Sequence, residues 1–210
     1  MRGLLREQGI NLPAGAANAL RAAPRAIDNE RLPYALRLAL LELLGEILSL
    51  EARIERIEKQ LAADARESAA VQTLLQVPGI GLLTATALVA AVGSPRHFAN
   101  GRHLAAWLGL TPKENSSGLR RRLGRISKRG DVYVRTLMTH GARAVLARAN
   151  QIALQGKPLN HLQHWALSLE RRAGHNKATC ALANKLARIC WAVWMHQRSF
   201  NQDHQHALAN

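Results

Sequence analysis

Residues 74–93 read LLQVPGIGLLTATALVAAVG. Two apolar stretches flank Val77-Pro78-Gly79-Ile80-Gly81, and proline and glycine together stop one helix and permit a sharp turn into the next. Helix, Pro-Gly-Ile-Gly turn, helix is the pattern of a helix-hairpin-helix element. Glycine lets the backbone come close to a ligand, and the amides opening the second helix point outward at the positive end of its dipole. One phosphate of a duplex backbone suits such a place, which makes Gly79, Ile80 and Gly81 candidate DNA contacts. The plainer reading is an ordinary turn between two packed helices.

Working outward, the spacing predicts a short helix over 68–77 and a strongly apolar one from Leu82 to Val92. Gly93 is suited to end the latter, and Pro95 blocks its continuation. Asn100 is a cap for a helix over 101–108, and Asp131 for another running to about Ala149. A loop at Gly156-Lys157-Pro158 leads to a helix over 159–172. Gly174-His175-Asn176 opens the last helix, 177–197, whose apolar residues lie almost all round and place it at the centre of the core. Strand signals are weak, and only Leu119–Ile126 could form a small hairpin.

Upstream, Leu36, Leu40, Leu43, Ile47, Leu50, Ile54, Ile57 and Leu61 alternate spacings of four and three. That is the seam of a coiled coil, with charged residues on the other faces; a seam this narrow needs a partner, either an antiparallel helix within the chain or, the favoured reading, a second copy in a homo-oligomer. Residues 1–31 show no sustained period and read as a linker-like segment with a short helix. The organisation expected is therefore linker 1–31, coiled coil 32–67, helical domain 68–197 and polar tail 198–210. The fold class expected is all-α.

Charge is distributed unevenly. The chain carries 29 Lys and Arg against 14 Asp and Glu, a formal net charge of +15. Acids and bases cancel over residues 1–70, so the whole excess lies downstream and favours a polyanionic partner. It peaks in GLTPKENSSGLRRRLGRISKRGDVYVR, residues 109–135. Lys113, Arg120, Arg121, Arg122, Arg125, Lys128, Arg129 and Arg135 crowd that stretch, opposed only by Glu114 and Asp131. Such contacts would be salt-sensitive and mostly blind to base sequence. Directly before the arginines stands Ser116-Ser117-Gly118. A serine can serve as a nucleophile where cations stabilise the attacked phosphate, although Ser-Ser-Gly is more often simply a turn.

Other chemistries find little support. Cys180 and Cys190 are spaced for neither CxxC metal binding nor a plausible disulfide, and read as core thiols of a reducing compartment. The histidines are scattered; His161 and His164 share a helical face without further ligands, so no metal site is expected. No apolar run reaches about 18 residues, the length that suggests a membrane span. The expectation is a soluble, cytoplasmic, nucleoid-associated protein that meets no membrane.

Taken together, MRGLLREQGINLP, the leucine seam, VPGIGLLTATALVAAVG, the segment from FANGRHLAAWLGL through KENSSGLRRRLGRISKRGD, and NKATCALANKLARICWAVW resemble the C-terminal half of the "IS one-ten" family of bacterial insertion-sequence transposases. The resemblance covers residues 1–197. It implies a DNA recombinase in which the serine of the Ser-Gly loop attacks DNA and holds a phosphoserine intermediate. That role falls on Ser117, with Ser116 as the alternative. It further implies a structured guide RNA as a partner beside DNA. Family members join this half to an N-terminal RuvC-like domain whose four acids hold divalent metal, and those acids have no counterpart here. No cofactor is expected in this chain, and Mg²⁺ only with that domain. The expectation is that these 210 residues alone do not cut or join DNA. A truncated element, a separately encoded half or an alternative start would each account for that.

Overall fold

The computed structural model describes residues 1–118, 120 and 122–200. It divides into two compact units, Met1–Gln60 and Leu61–Asn210.

The first unit holds α1 (Arg2–Glu7), α2 (Ala16–Ile27) and most of α3 (Tyr34–Glu67). Leu5, Ala23, Ile27, Leu32, Leu40 and Leu44 form its small core, with Leu36 packed against it. The leucine seam is therefore divided. Leu36, Leu40 and Leu44 recur every fourth residue and face α1 and α2, whereas Leu43, Leu50, Ile54 and Ile57 are exposed. Among the described residues no second helix runs along that outer row, so the single chain shows one long helix and no coiled coil. The physical reason is local: the buried faces of two short helices at the N-terminus, with Leu5, Ala23 and Ile27, offer the start of α3 a partner, and burial there follows an i, i+4 row.

The second unit is a helical assembly around α9 (His175–His196). Packed on it are α4 (Ala69–Leu75), α6 (Gly101–Trp107), α7 (Val132–Leu154), α8 (His161–Ala173) and a 3-10 turn at Pro95–His97, while α5 (Leu82–Val92) packs on α4 and α7. Leu182, Ala183, Leu186, Ala187 and Cys190 of α9 are wholly buried. Helix starts obey their caps. Asn100 Oδ1 accepts from the amides of Arg102 and His103, and Asp131 Oδ1 accepts from that of Val134 at 2.7 Å. Asn160 and Gln163 form a reciprocal capping box at α8. Helix α7 runs to Leu154, past the expected end near Ala149.

The all-α expectation meets one exception. Strand β1 (Pro112–Glu114) pairs antiparallel with β2 (Leu123–Ile126), so the basic loop is a hairpin. Its first strand lies upstream of the 119–126 stretch that the sequence suggested. Among the described residues, no helix is long and apolar enough to cross a membrane.

Candidate nucleic-acid interface

The hairpin stands on a closely packed base. The amide of Lys128 donates to Gly109 O at 3.1 Å, and that of Ser127 to Thr111 O at 2.8 Å, closing the two arms together. Gly130 has φ +130°, and a Cβ there would collide with the carbonyl oxygen of Trp107. Lys128 holds a left-handed conformation at φ 55°, uncommon for a residue with a Cβ. Arg135, expected as a phosphate contact, is instead only 9% exposed. Its Nη1 donates to the carbonyls of Leu108, Gly130 and Asp131 at 3.3–3.4 Å. That guanidinium fastens the loop base to α7 and leaves the cationic surface.

At the tip the same residue type faces water. Lys113, Arg120, Arg122, Arg125, Lys128 and Arg129 are all exposed, while Arg121 lies outside the described residues. The turn is held by Ser117 and Arg120, whose amides and carbonyls exchange hydrogen bonds at 3.2 Å. Ser116 and Ser117 then differ in a way no sequence pattern shows. Ser116 Oγ donates to Glu114 Oε1 at 2.8 Å and accepts from the Arg122 amide at 3.0 Å. Among the described residues the Ser117 hydroxyl is engaged in no such bond. Glu114, in sequence merely a lone acid, braces the serine turn.

The Pro-Gly-Ile-Gly turn does not bring its three candidates to one surface. Ile80 is buried in the core. Gly79 has φ +79°, and a Cβ there would lie 2.6 Å from Gly141 O on α7. Its small size serves a helix contact, in which Gly141 is the matching small residue. Gly81 is exposed with open space where a side chain would be, and it starts α5 without a capping side chain. At the start of α5 only Gly81 and Leu83 are exposed, and Thr84 is buried.

Sequence reasoning missed a second cationic surface. Helix α9 is not apolar all round: Lys177, Lys185 and Arg188 line a groove that Arg125 and Lys128 enter from the hairpin side. Spacings of four, three and four across 177, 181, 184 and 188 were the available signal. Cys190 is fully buried and its thiol is pushed up to about 12 by loss of solvation, so it is an inert core group. Both cysteines are free. Among the described residues no group of three or more His, Cys, Asp or Glu side chains could hold a metal ion.

Comparison with known proteins bears on this geometry. Residues 71–156 match the model of the Transposase IS116/IS110/IS902 family, a span that runs from α4 through the hairpin to the end of α7. A Pseudomonas aeruginosa protein described as "Probable family 20 transposase" is 44% identical over 197 residues, covering 92% of this chain and 56% of the relative. The transposase for insertion sequence element IS1111A of Coxiella burnetii is 37% identical, covering 95% of this chain and 54% of the relative. The transposase for IS1328 of Yersinia enterocolitica is 36% identical, covering 92% and 56%. The chain thus spans little more than half the length of these relatives.

Proposed function

We propose that the chain belongs to the IS116/IS110/IS902 family of transposases, whose model its residues 71–156 match, and that its hairpin is the DNA-gripping, serine-bearing element of a transposition reaction. The observation that carries this reading is the division of labour at the tip. Ser116 is spent on bracing the turn, whereas Ser117, paired through its backbone with Arg120, has its hydroxyl in no hydrogen bond among the described residues. Ser117 Oγ would form a bond to a backbone phosphorus as the bond from that phosphorus to one sugar oxygen breaks. Reversal of the step with a hydroxyl of a second DNA joins the two. Guanidinium groups at the tip neutralise the charge that builds on the phosphate oxygens, where preorganised cations contribute most. The start of α5 at the exposed, uncapped Gly81 would offer a further phosphate contact that reads no bases.

Divalent metal, implied by the family resemblance, does not fit the described residues, which supply no cluster of ligands for it. We assign its binding to an acidic domain supplied elsewhere, and no step here runs through it. The exposed row Leu43, Leu50, Ile54 and Ile57 of α3 is proposed to pair with the same row of a second copy. Ile54→Glu should then shift sedimentation from oligomer to monomer. An unaltered profile would leave that row without this role. A structured RNA would compete for the same cations as DNA.

The decisive test supplies an acidic domain from an intact relative together with Mg²⁺ and scores strand joining. Ser117→Ala should abolish joining and the covalent protein–DNA adduct, whereas Ser116→Ala should keep both and weaken the turn by about 1 kcal/mol. Joining that survives Ser117→Ala rejects the nucleophile. Binding of DNA ends without joining in any combination would instead favour a non-catalytic module that occupies transposon ends or modulates intact transposase.

A further inference from the structure

Away from the serine turn, a groove of about 1290 Å³ lies in the second unit between β2 on one side and α8 and α9 on the other. It exceeds the roughly 300–1,000 Å³ usual for small-molecule pockets. Five cations line it: Arg125 and Lys128 from the hairpin, and Lys177, Lys185 and Arg188 from α9. No Asp or Glu is among its described lining residues. Lys177 and Arg188 sit at the two ends of one face of α9. Lys185 lies between them, its ammonium 4.3 Å from the centre of the Trp165 ring.

Two features say what kind of ligand belongs there. The first is electrostatic. Burial, and then the neighbouring Arg188, pull the Lys185 ammonium below its ordinary pKa. Like charges held together away from water are costly until an anion arrives. The second is the floor, which is apolar: Leu110, Ile126, Ala181 and Ile189 with the Trp165 ring. A duplex keeps its base faces inside the stack and offers a protein surface phosphate, sugar and base edges only. An unpaired strand presents base faces as well, and cationic walls with an aromatic, apolar floor are the pattern that binds one. Asn176 and Asn184 are the amide side chains among its described lining residues, and Asn184 gives one amide proton to Leu110 O at 3.3 Å. The choice of DNA over RNA follows from the reading that the hairpin handles DNA.

We propose that this groove binds a single strand of DNA, with Lys177, Lys185 and Arg188 on its phosphates and its bases against the apolar floor. The proposal rests on the reading that the hairpin handles DNA, and it adds a second contact surface to it. Strand β2 leads from the groove toward the serine turn: its residues Leu123–Ile126 span roughly 10 Å at about 3.3 Å per residue. An unpaired strand seated on α9 would lead to Ser117, so the groove holds DNA whose bases have already separated.

The test is binding of fluorescein-labelled oligo-dT, of its duplex with oligo-dA, and of oligo-U, to the full chain across a salt series. Lys177→Gln/Arg188→Gln removes two exposed cations and leaves Lys185 over Trp165. Oligo-dT affinity should fall roughly ten-fold at low salt and the salt slope by about 1.4, while duplex affinity falls less than about two-fold. Lys177→Arg/Arg188→Lys should restore oligo-dT binding, with melting curves verifying that both variants fold. Unchanged oligo-dT binding overturns the proposal. So does an equal loss on duplex, which marks general charge attraction, or a loss confined to oligo-U, which marks RNA as the occupant. A wild-type chain that binds neither DNA form overturns the transposition reading itself. Binding that is merely indifferent to the groove substitutions overturns only the groove.

Discussion

Arg135 and Arg122 lie thirteen positions apart in one basic run, yet the base and the tip of the hairpin use the same side chain in opposite ways. At the base, Arg135 is nearly buried and hands its protons to three carbonyl groups. At the tip, Arg120 and Arg122 are exposed. The base also has backbone approaching backbone, as Gly130 does Trp107. The tip is a turn held by a few hydrogen bonds, two of them through the Ser116 hydroxyl. The contrast teaches that density of charge in a sequence is not density of charge on a surface. A loop that must reach into a polyanion needs an anchorage, and an arginine serves as anchor because its planar fork can satisfy several carbonyls at once.

That contrast can be broken from either side. The largest effect should come from Gly130→Ala, because the new methyl group meets the Trp107 carbonyl and φ +130° disfavours any side chain. A loss on the order of 3–5 kcal/mol is expected, or roughly 10 °C or more in melting temperature by calorimetry. An unaffected melt would mean the base is not close-packed. Next comes Arg135→Met, which keeps volume but takes the guanidinium donor from the Leu108 and Gly130 carbonyls, Asp131 O keeping the Arg135 backbone amide. It should cost about 2–3 kcal/mol, and the salt dependence of DNA binding by the folded fraction should not change. If that slope dropped by one contact, Arg135 would belong with the tip after all. The smallest effect on stability belongs to Arg120→Gln/Arg122→Gln, which should leave the melting temperature within about 1 °C. Duplex affinity should nonetheless fall, with the salt slope reduced by roughly 1.8 for two lost phosphate contacts. A tip variant that melted early but bound normally would reverse the assignment.

Much of the helical plan was legible because it is written in short-range chemistry. Asn100 and Asp131 announce helix starts by bonding amides two or three residues on, and the structure places both as caps. What could not be read depends on residues far apart in the chain. Gly79 looked like a place for a ligand to come close, but what comes close is Gly141, and nothing near Gly79 in sequence says so. The leucine seam of α3 has correct coiled-coil spacing along its length. Whether Leu40 faces a second copy or the chain's own α1 and α2 is decided by residues 5–32. At the candidate site the serine pair was legible and its asymmetry was not, since Glu114 and the Arg122 amide reach Ser116 only once β1 and β2 pair. The cations of α9 were hidden by the strength of the apolar pattern around them.

The two thiols of α9 are a practical consequence of how that helix is seated. Cys190 is sealed in the core, whereas Cys180 is partly accessible and lines the groove beside Lys177 and Ala181. A maleimide dye applied to the unmodified chain near neutral pH should therefore attach at one position only. The natural sequence already carries a handle for watching that face by fluorescence.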